Sequence, residues 1–174
     1  CRSKVTLIAA SLLLAASAQA LEAKLHKDDL PVLTPEVQHE TASKRVTSRF
    51  TRSHYKHFSL DDDFSKAIFE RYIEMLDYNR NIFTQADIDA FKSWSVELDD
   101  QLKAGNNQIA FDVYNLSMQK RFERFAYALT LLDKEIKFDN DDELELDRSE
   151  AAWPKNESEI NELWRKRVKY DALN

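Results

Sequence analysis

One glycine in 174 residues, Gly105, is the tightest constraint on what this chain can become. Two-residue hairpin turns and many other tight turns need positive φ, which glycine adopts without steric cost. A chain of this length built from hairpins would need several. Only three prolines add further interruptions. The sequence therefore points to long helices, and the expected fold class is all-α: an irregular multi-helix bundle preceded by a signal peptide.

Apolar periodicity places the elements. Thr34-Pro35-Glu36 reads as a helix start, with threonine as N-cap and proline at the first helical position. That helix is expected to run to about Phe58. Within it Val46, Phe50, His54 and Phe58 recur every fourth residue and share one face. Arg45, Arg49 and Arg52 lie round the other side, either as a solvated basic face or as an anion or partner site. Asp61, Asp62 and Asp63 cap a second helix, Phe64 to Leu76, whose stripe is Phe64, Ile68, Tyr72 and Met75/Leu76, widened by Phe69 and Ile73. Thr84 with Asp87 resembles a capping box for a third helix carrying Ile88, Phe91, Trp94, Leu98 and Leu102, closed by Gly105. The longest element follows, with Phe111, Tyr114, Met118, Phe122, Phe125, Leu129, Leu132 and Ile136 at helical spacing over about 45 Å. Lys120, Arg121 and Arg124 are expected on its outer surface. Asp139 to Glu143 reads as a solvated acidic loop rather than a calcium loop, because the bend glycine and spaced ligands are missing. Asn156 and Glu159 start a last helix with Ile160, Leu163, Trp164 and Val168. The expected core is Phe50, Ile68, Tyr72, Phe91, Trp94, Phe122, Phe125 and Leu129.

The amino-terminal residues carry an address. Arg2 and Lys4 precede an apolar run, Val5 to Leu14, and Ala18-Gln19-Ala20 is an A-x-A cleavage site. The run is too short for a stable membrane span, so residues 1–20 are expected to be a cleaved signal peptide. Cys1 precedes the apolar run and is not a lipidation site; processing leaves a chain without cysteine, suited to an oxidising compartment such as the periplasm. Residues 21–33 read as an extended arm and 34–174 as a helical domain. The missing initiator methionine and the absence of a stop signal at Asn174 suggest a piece of a longer protein. The net charge is −6. A nucleic-acid binder needs a concentrated basic field, so no nucleic-acid partner is expected.

Chemistry is sparse. Gly-rich phosphate loops and a G-x-S-x-G elbow are impossible with one glycine. Catalytic, cofactor-binding and metal-ligating residues are all read as none. His54 and His57 could share a face, but no carboxylate completes a ligand pattern there; a metal-dependent hydrolase using them with the acidic loop is the remotest reading. Lys44, Lys56, Lys66 and Lys120 have polar or charged neighbours, unlike the desolvated lysine of a serine–lysine dyad.

Several runs together are more specific. Arg45-Val46-Thr47-Ser48-Arg49-Phe50-Thr51-Arg52-Ser53-His54-Tyr55, Tyr114-Asn115-Leu116, Arg121-Phe122-Glu123-Arg124-Phe125, Leu146-Asp147-Arg148-Ser149 and Trp153-Pro154-Lys155-Asn156-Glu157 before Leu163-Trp164 occur in order. This pattern resembles the amino-terminal region of bacterial periplasmic tail-specific proteases, over about Pro31 to Leu173. The resemblance implies an amino-terminal helical domain, then a PDZ domain, then a serine–lysine protease core that cuts proteins from a nonpolar carboxyl end. It implies as partners the protein substrates, the remaining PDZ and protease domains, and a possible lipoprotein adaptor. No dyad residue maps onto this chain, so it reads as a scaffold without cofactor. A stand-alone periplasmic binding module is the alternative. The leader makes one direct prediction. Mass spectrometry of the exported protein should find Leu21 as the new terminus; an intact apolar run in the membrane fraction would contradict cleavage.

Overall fold

The computed structural model describes residues 26–55 and 59–173. The expected signal peptide lies outside the described residues. Two compact units are present, Cys1–Leu30 and Pro31–Asn174. In the first, the described part is a short 3-10 turn, Lys27–Asp29. The second holds six α-helices, and no strand occurs among the described residues.

Helix α1 spans Val37–Ser53. It begins later than Thr34-Pro35 suggested, because Glu36 takes the N-cap and its N–H donates to His39 Nδ1 at 2.9 Å. It stops at Ser53 rather than near Phe58; His54 already has extended dihedrals. Helix α2 spans Asp62–Leu76, with the Asp61 carboxylate accepting from the Phe64 N–H at 3.1 Å. The expected third helix is three pieces: α3 (Gln85–Phe91), a 3-10 turn (Trp94–Val96) and α4 (Leu98–Ala104). Ser93, Ser95 and Val96 are weak helix formers, and the Ser95 hydroxyl bonds back to the Lys92 carbonyl at 2.7 Å. The bend lets Phe91 and Leu98 face one core while Trp94 stacks on Phe91 at 5.7 Å. Gly105 closes α4 at φ +79, and a Cβ there would meet Glu40 Cγ at 2.7 Å. Helix α5 spans Gln108–Leu132, about 37 Å, and ends one turn short of Ile136. Helix α6 spans Glu157–Asp171, with the Asn156 side chain accepting from Glu159 N–H at 3.0 Å.

Two cores result. Phe69, Ile73, Phe83, Phe91, Leu98, Ile109 and Val113 form the first. Ile82, Ile160 and Trp164 form the second, with Tyr127 and Ala128 against them. Ile82 and Phe83 are adjacent in sequence yet serve different cores. The Asp77 carboxylate holds that divergence. It accepts from the N–H groups of Asn81 (2.9 Å), Ile82 (2.8 Å) and Phe83 (2.9 Å). Burial pushes this carboxyl up, while the three N–H donors and the Arg121 charge pull it down. Arg80 completes the turn in the left-handed region at φ 49.

The same turn receives the distant Trp153-Pro154 segment. Gln85 N–H donates to the Pro154 carbonyl at 2.7 Å, the Arg80 guanidinium donates to the Ala151 carbonyl and sits 5.5 Å from the Trp153 ring, and Trp153 packs on Phe83. Trp164 Nε1 donates to the Asn81 carbonyl at 2.7 Å. Asp77→Ala leaves three part-buried or buried N–H groups without their acceptor. At about 1–3 kcal/mol each, it should cost at least about 3 kcal/mol in urea unfolding, with Asp77→Asn losing less. A loss below about 1 kcal/mol would show that the turn does not depend on the carboxylate.

Candidate interaction face on the long helix

Helix α5 has two faces, and they are reversed from expectation. The basic residues turn inward. Arg124 is 5% exposed, with its guanidinium donating to Asn161 and Glu157, both at 2.7 Å on α6. Lys120 meets Asp87 of α3 at 3.0 Å, and Arg121 donates to the Leu76 carbonyl at the end of α2. These are charge-assisted ties whose long stems fill space between helices. Val113 and Ser117 share that inward side and are fully buried.

The apolar stripe lies round the other side. Phe125, Leu129 and Leu132 are 58%, 63% and 56% exposed. Tyr114 continues the row as an exposed residue, and Met118 and Phe122 are half-buried. Phe125 and Leu129 therefore leave the expected core, Ile68, Tyr72 and Trp94 only edge it, and Phe122 and Phe50 are half-buried outside it. Val46 likewise leaves the inner face of α1, at 66% exposed. Phe125 touches the domain through its edge-on contact with Trp164 at 5.6 Å. Tyr72 is tied by its hydroxyl to the Ala110 carbonyl at 2.7 Å; burial and the neighbouring Tyr114 push it up to about 12.

The acidic loop is not simply solvated. Asp142 holds Arg165 (2.7 Å) and Lys169 (2.8 Å) of α6. Hydrogen bonds from Arg165 and then Lys169 keep its carboxyl well below the usual range. Among the described residues no group of three or more His, Cys, Asp or Glu could hold a metal ion. His57 lies outside the described residues, so its geometry with His54 is not described.

Two serines are fully buried, and their surroundings are informative. Ser117 donates to the Tyr114 carbonyl at 2.7 Å. Ser65 Oγ accepts from the Asp99 N–H at 3.2 Å, and the Asp99 carboxylate binds Lys103 at 2.7 Å. Its hydrogen bonds to the Asp99 and then the Asp100 carboxylate raise the Lys103 ammonium, the opposite of what a proton-accepting lysine needs.

A family model described as "Tail specific protease N-terminal domain" matches residues 46–174. The chain belongs to the tail-specific protease N-terminal domain family. It is also 44% identical over 156 residues, 89% of its length, to a tail-specific protease of Haemophilus influenzae. It spans 22% of that relative. A second family model, B melanoma antigen family, matches only residues 1–34, mostly outside the described residues. In this tail-specific protease N-terminal domain, the sequence runs that carried the resemblance have structural jobs. Trp153-Pro154 docks the turn after α2, Arg121 and Arg124 tie α5 to its neighbours, and Asn115 exchanges two hydrogen bonds with the backbone of Leu33. What the sequence could not show is which side of α5 faces in. Its apolar row is the more hydrophobic, and only the positions of Asp87, Asn161 and Glu157 turn the cations inward.

That arrangement predicts unequal costs. Leu129→Ala should change the stability of this chain by under about 0.5 kcal/mol, because the side chain is exposed. Phe83→Ala should cost about 3–5 kcal/mol. Denaturant midpoints measure both, and a Leu129 effect near the Phe83 value would put the apolar row inside.

Proposed function

We propose that this chain is the helical amino-terminal scaffold of an exported, periplasmic tail-specific serine endopeptidase, and that it positions the enzyme rather than cutting peptide bonds. The carrying observation is the row Tyr114, Phe125, Leu129 and Leu132, exposed along α5 in a domain of known family. The homologous relative is several times longer than this chain. The proposed occupant of the row is therefore the remainder of the same polypeptide, where PDZ and serine–lysine protease regions would lie. The leader at residues 1–20 supports export, and no helix among the described residues is long and apolar enough to cross a membrane. Protein substrates, and a lipoprotein adaptor, are the partners proposed for the whole enzyme.

A scaffold role also fits the chemistry of the domain. Peptide hydrolysis needs an activated nucleophile, a base and donors aimed at the oxyanion. Ser65 and Ser117 are enclosed, and Lys103, paired with the Asp99 whose N–H Ser65 accepts, is held charged.

The test uses the complete polypeptide. Phe125→Asp with Leu129→Asp should lower its thermal midpoint by several degrees and reduce cleavage of an unstructured substrate ending in apolar residues. The same changes should barely alter the stability of the isolated chain, and that chain should cleave nothing. Unchanged stability and activity in the complete polypeptide would remove the docking role. Cleavage by the isolated chain that disappears on replacing one of its serines would remove the scaffold reading.

A further inference from the structure

Helix α1 is fastened by one side. His39 lies 5.3 Å from the Phe111 ring, the Ser43 hydroxyl donates to the Leu102 carbonyl at 3.1 Å, and Phe50 packs on Phe64 at 5.5 Å. At 100° per residue, Arg45, Arg49 and Arg52 fall within about 60° of arc on the opposite side. All three are exposed, and none has a hydrogen bond or ion pair among the described residues. Their neighbour Lys44 is different, since it is bound to Glu40 at 2.6 Å. Val46 and Tyr55 are exposed on the same helix and at its end, at 66% and 94%.

The sequence around this face is unlike the rest. From Thr41 to Leu60 there are five Lys and Arg residues and no Asp or Glu, in a chain whose net charge is −6. Overall negative charge does not cancel such a face, because at physiological salt charges beyond about 8 Å are largely screened.

We infer that the arginine row of α1 docks reversibly on an anionic phospholipid surface. Three guanidiniums in a straight row of about 10 Å present paired donors that match phosphate groups. They stand on the outer side of a helix, a shape suited to a plane of headgroups. Tyrosine beside cations is a composition favoured at the membrane interface, and Tyr55 stands exposed just past the row. This surface is separate from the α5 row, and the inference does not depend on what covers that row.

Vesicles containing phosphatidylglycerol, compared with vesicles of phosphatidylcholine alone, provide the test with the processed chain from Leu21 to Asn174. Each surface arginine contributes about a fivefold gain in partitioning onto anionic lipid, so the triple change Arg45→Gln, Arg49→Gln, Arg52→Gln should weaken it about a hundredfold. The corresponding triple lysine variant should bind within a few-fold of the original. If the triple glutamine variant lost its helical circular dichroism, Arg49→Gln alone should still show the fivefold loss. Equal binding to both vesicle types, or glutamine variants that bind as well as the original, would overturn the inference. So would arginine-dependent self-association without vesicles, which would assign the row to an acidic protein surface instead.

Discussion

The second unit is arranged around a carboxylate that accepts three successive backbone N–H groups. Asp77 closes α2 and fixes the turn through Phe83, so that Ile82 enters one core and Phe83 the other. Nothing apolar could make that division. Ile82 and Phe83 lie in bends, so their side chains keep diverging while the backbone between them is held, and here the holding group is a buried carboxylate that burial pushes up and its N–H donors pull down. The 151–154 segment and α6 both attach beside it. Pro154 accepts from Gln85, Ala151 from Arg80, and Asn81 from Trp164. Long-range order thus passes through backbone carbonyls at a turn rather than through helix faces alone.

Polar ties recur where helices cross. Arg124 spans from α5 to α6, Lys120 to α3, and Arg121 to the end of α2. Truncating a buried guanidinium strands its partners and opens space, so such positions tolerate little change even without chemical function. Trp153-Pro154 is distinctive because a ring must cover Phe83 and a carbonyl must meet Gln85.

Much of the fold was legible. The scarcity of glycine predicted helices, the Thr84 and Asn156 caps occur as expected, and Gly105 occupies the left-handed position that ends α4. The break at Ser93 to Glu97 was hidden because Phe91, Trp94 and Leu98 keep helical spacing across it. The orientation of α5 was hidden for a deeper reason. Periodicity identifies a hydrophobic face, and inside a free-standing domain that face goes inward. A domain belonging to a longer polypeptide can have a second use for it, and then Arg124 and Lys120 can take the interior if acids await them. Asp87 and Glu157 are those acids, but their pairing with α5 appears only in three dimensions. The acidic loop misled in the same way, since Asp142 is a partner for Arg165 and Lys169, not a free charge.

The two exposed faces differ in the strength of attachment they can support. Burying a large aliphatic or aromatic side chain contributes about 1.5–3 kcal/mol, so covering Phe125, Leu129 and Leu132 could add several kcal/mol between parts of one protein. A continuous intramolecular contact of that size is long-lived and insensitive to salt. An arginine on a charged surface contributes about 1 kcal/mol and weakens as salt rises. The α5 row is therefore suited to permanent assembly and the α1 row to reversible contact. Their placement on different helices would leave the second free to act with the first covered, because α1 is held by His39, Ser43 and Phe50 and its arginines take no part in the packing among the described residues.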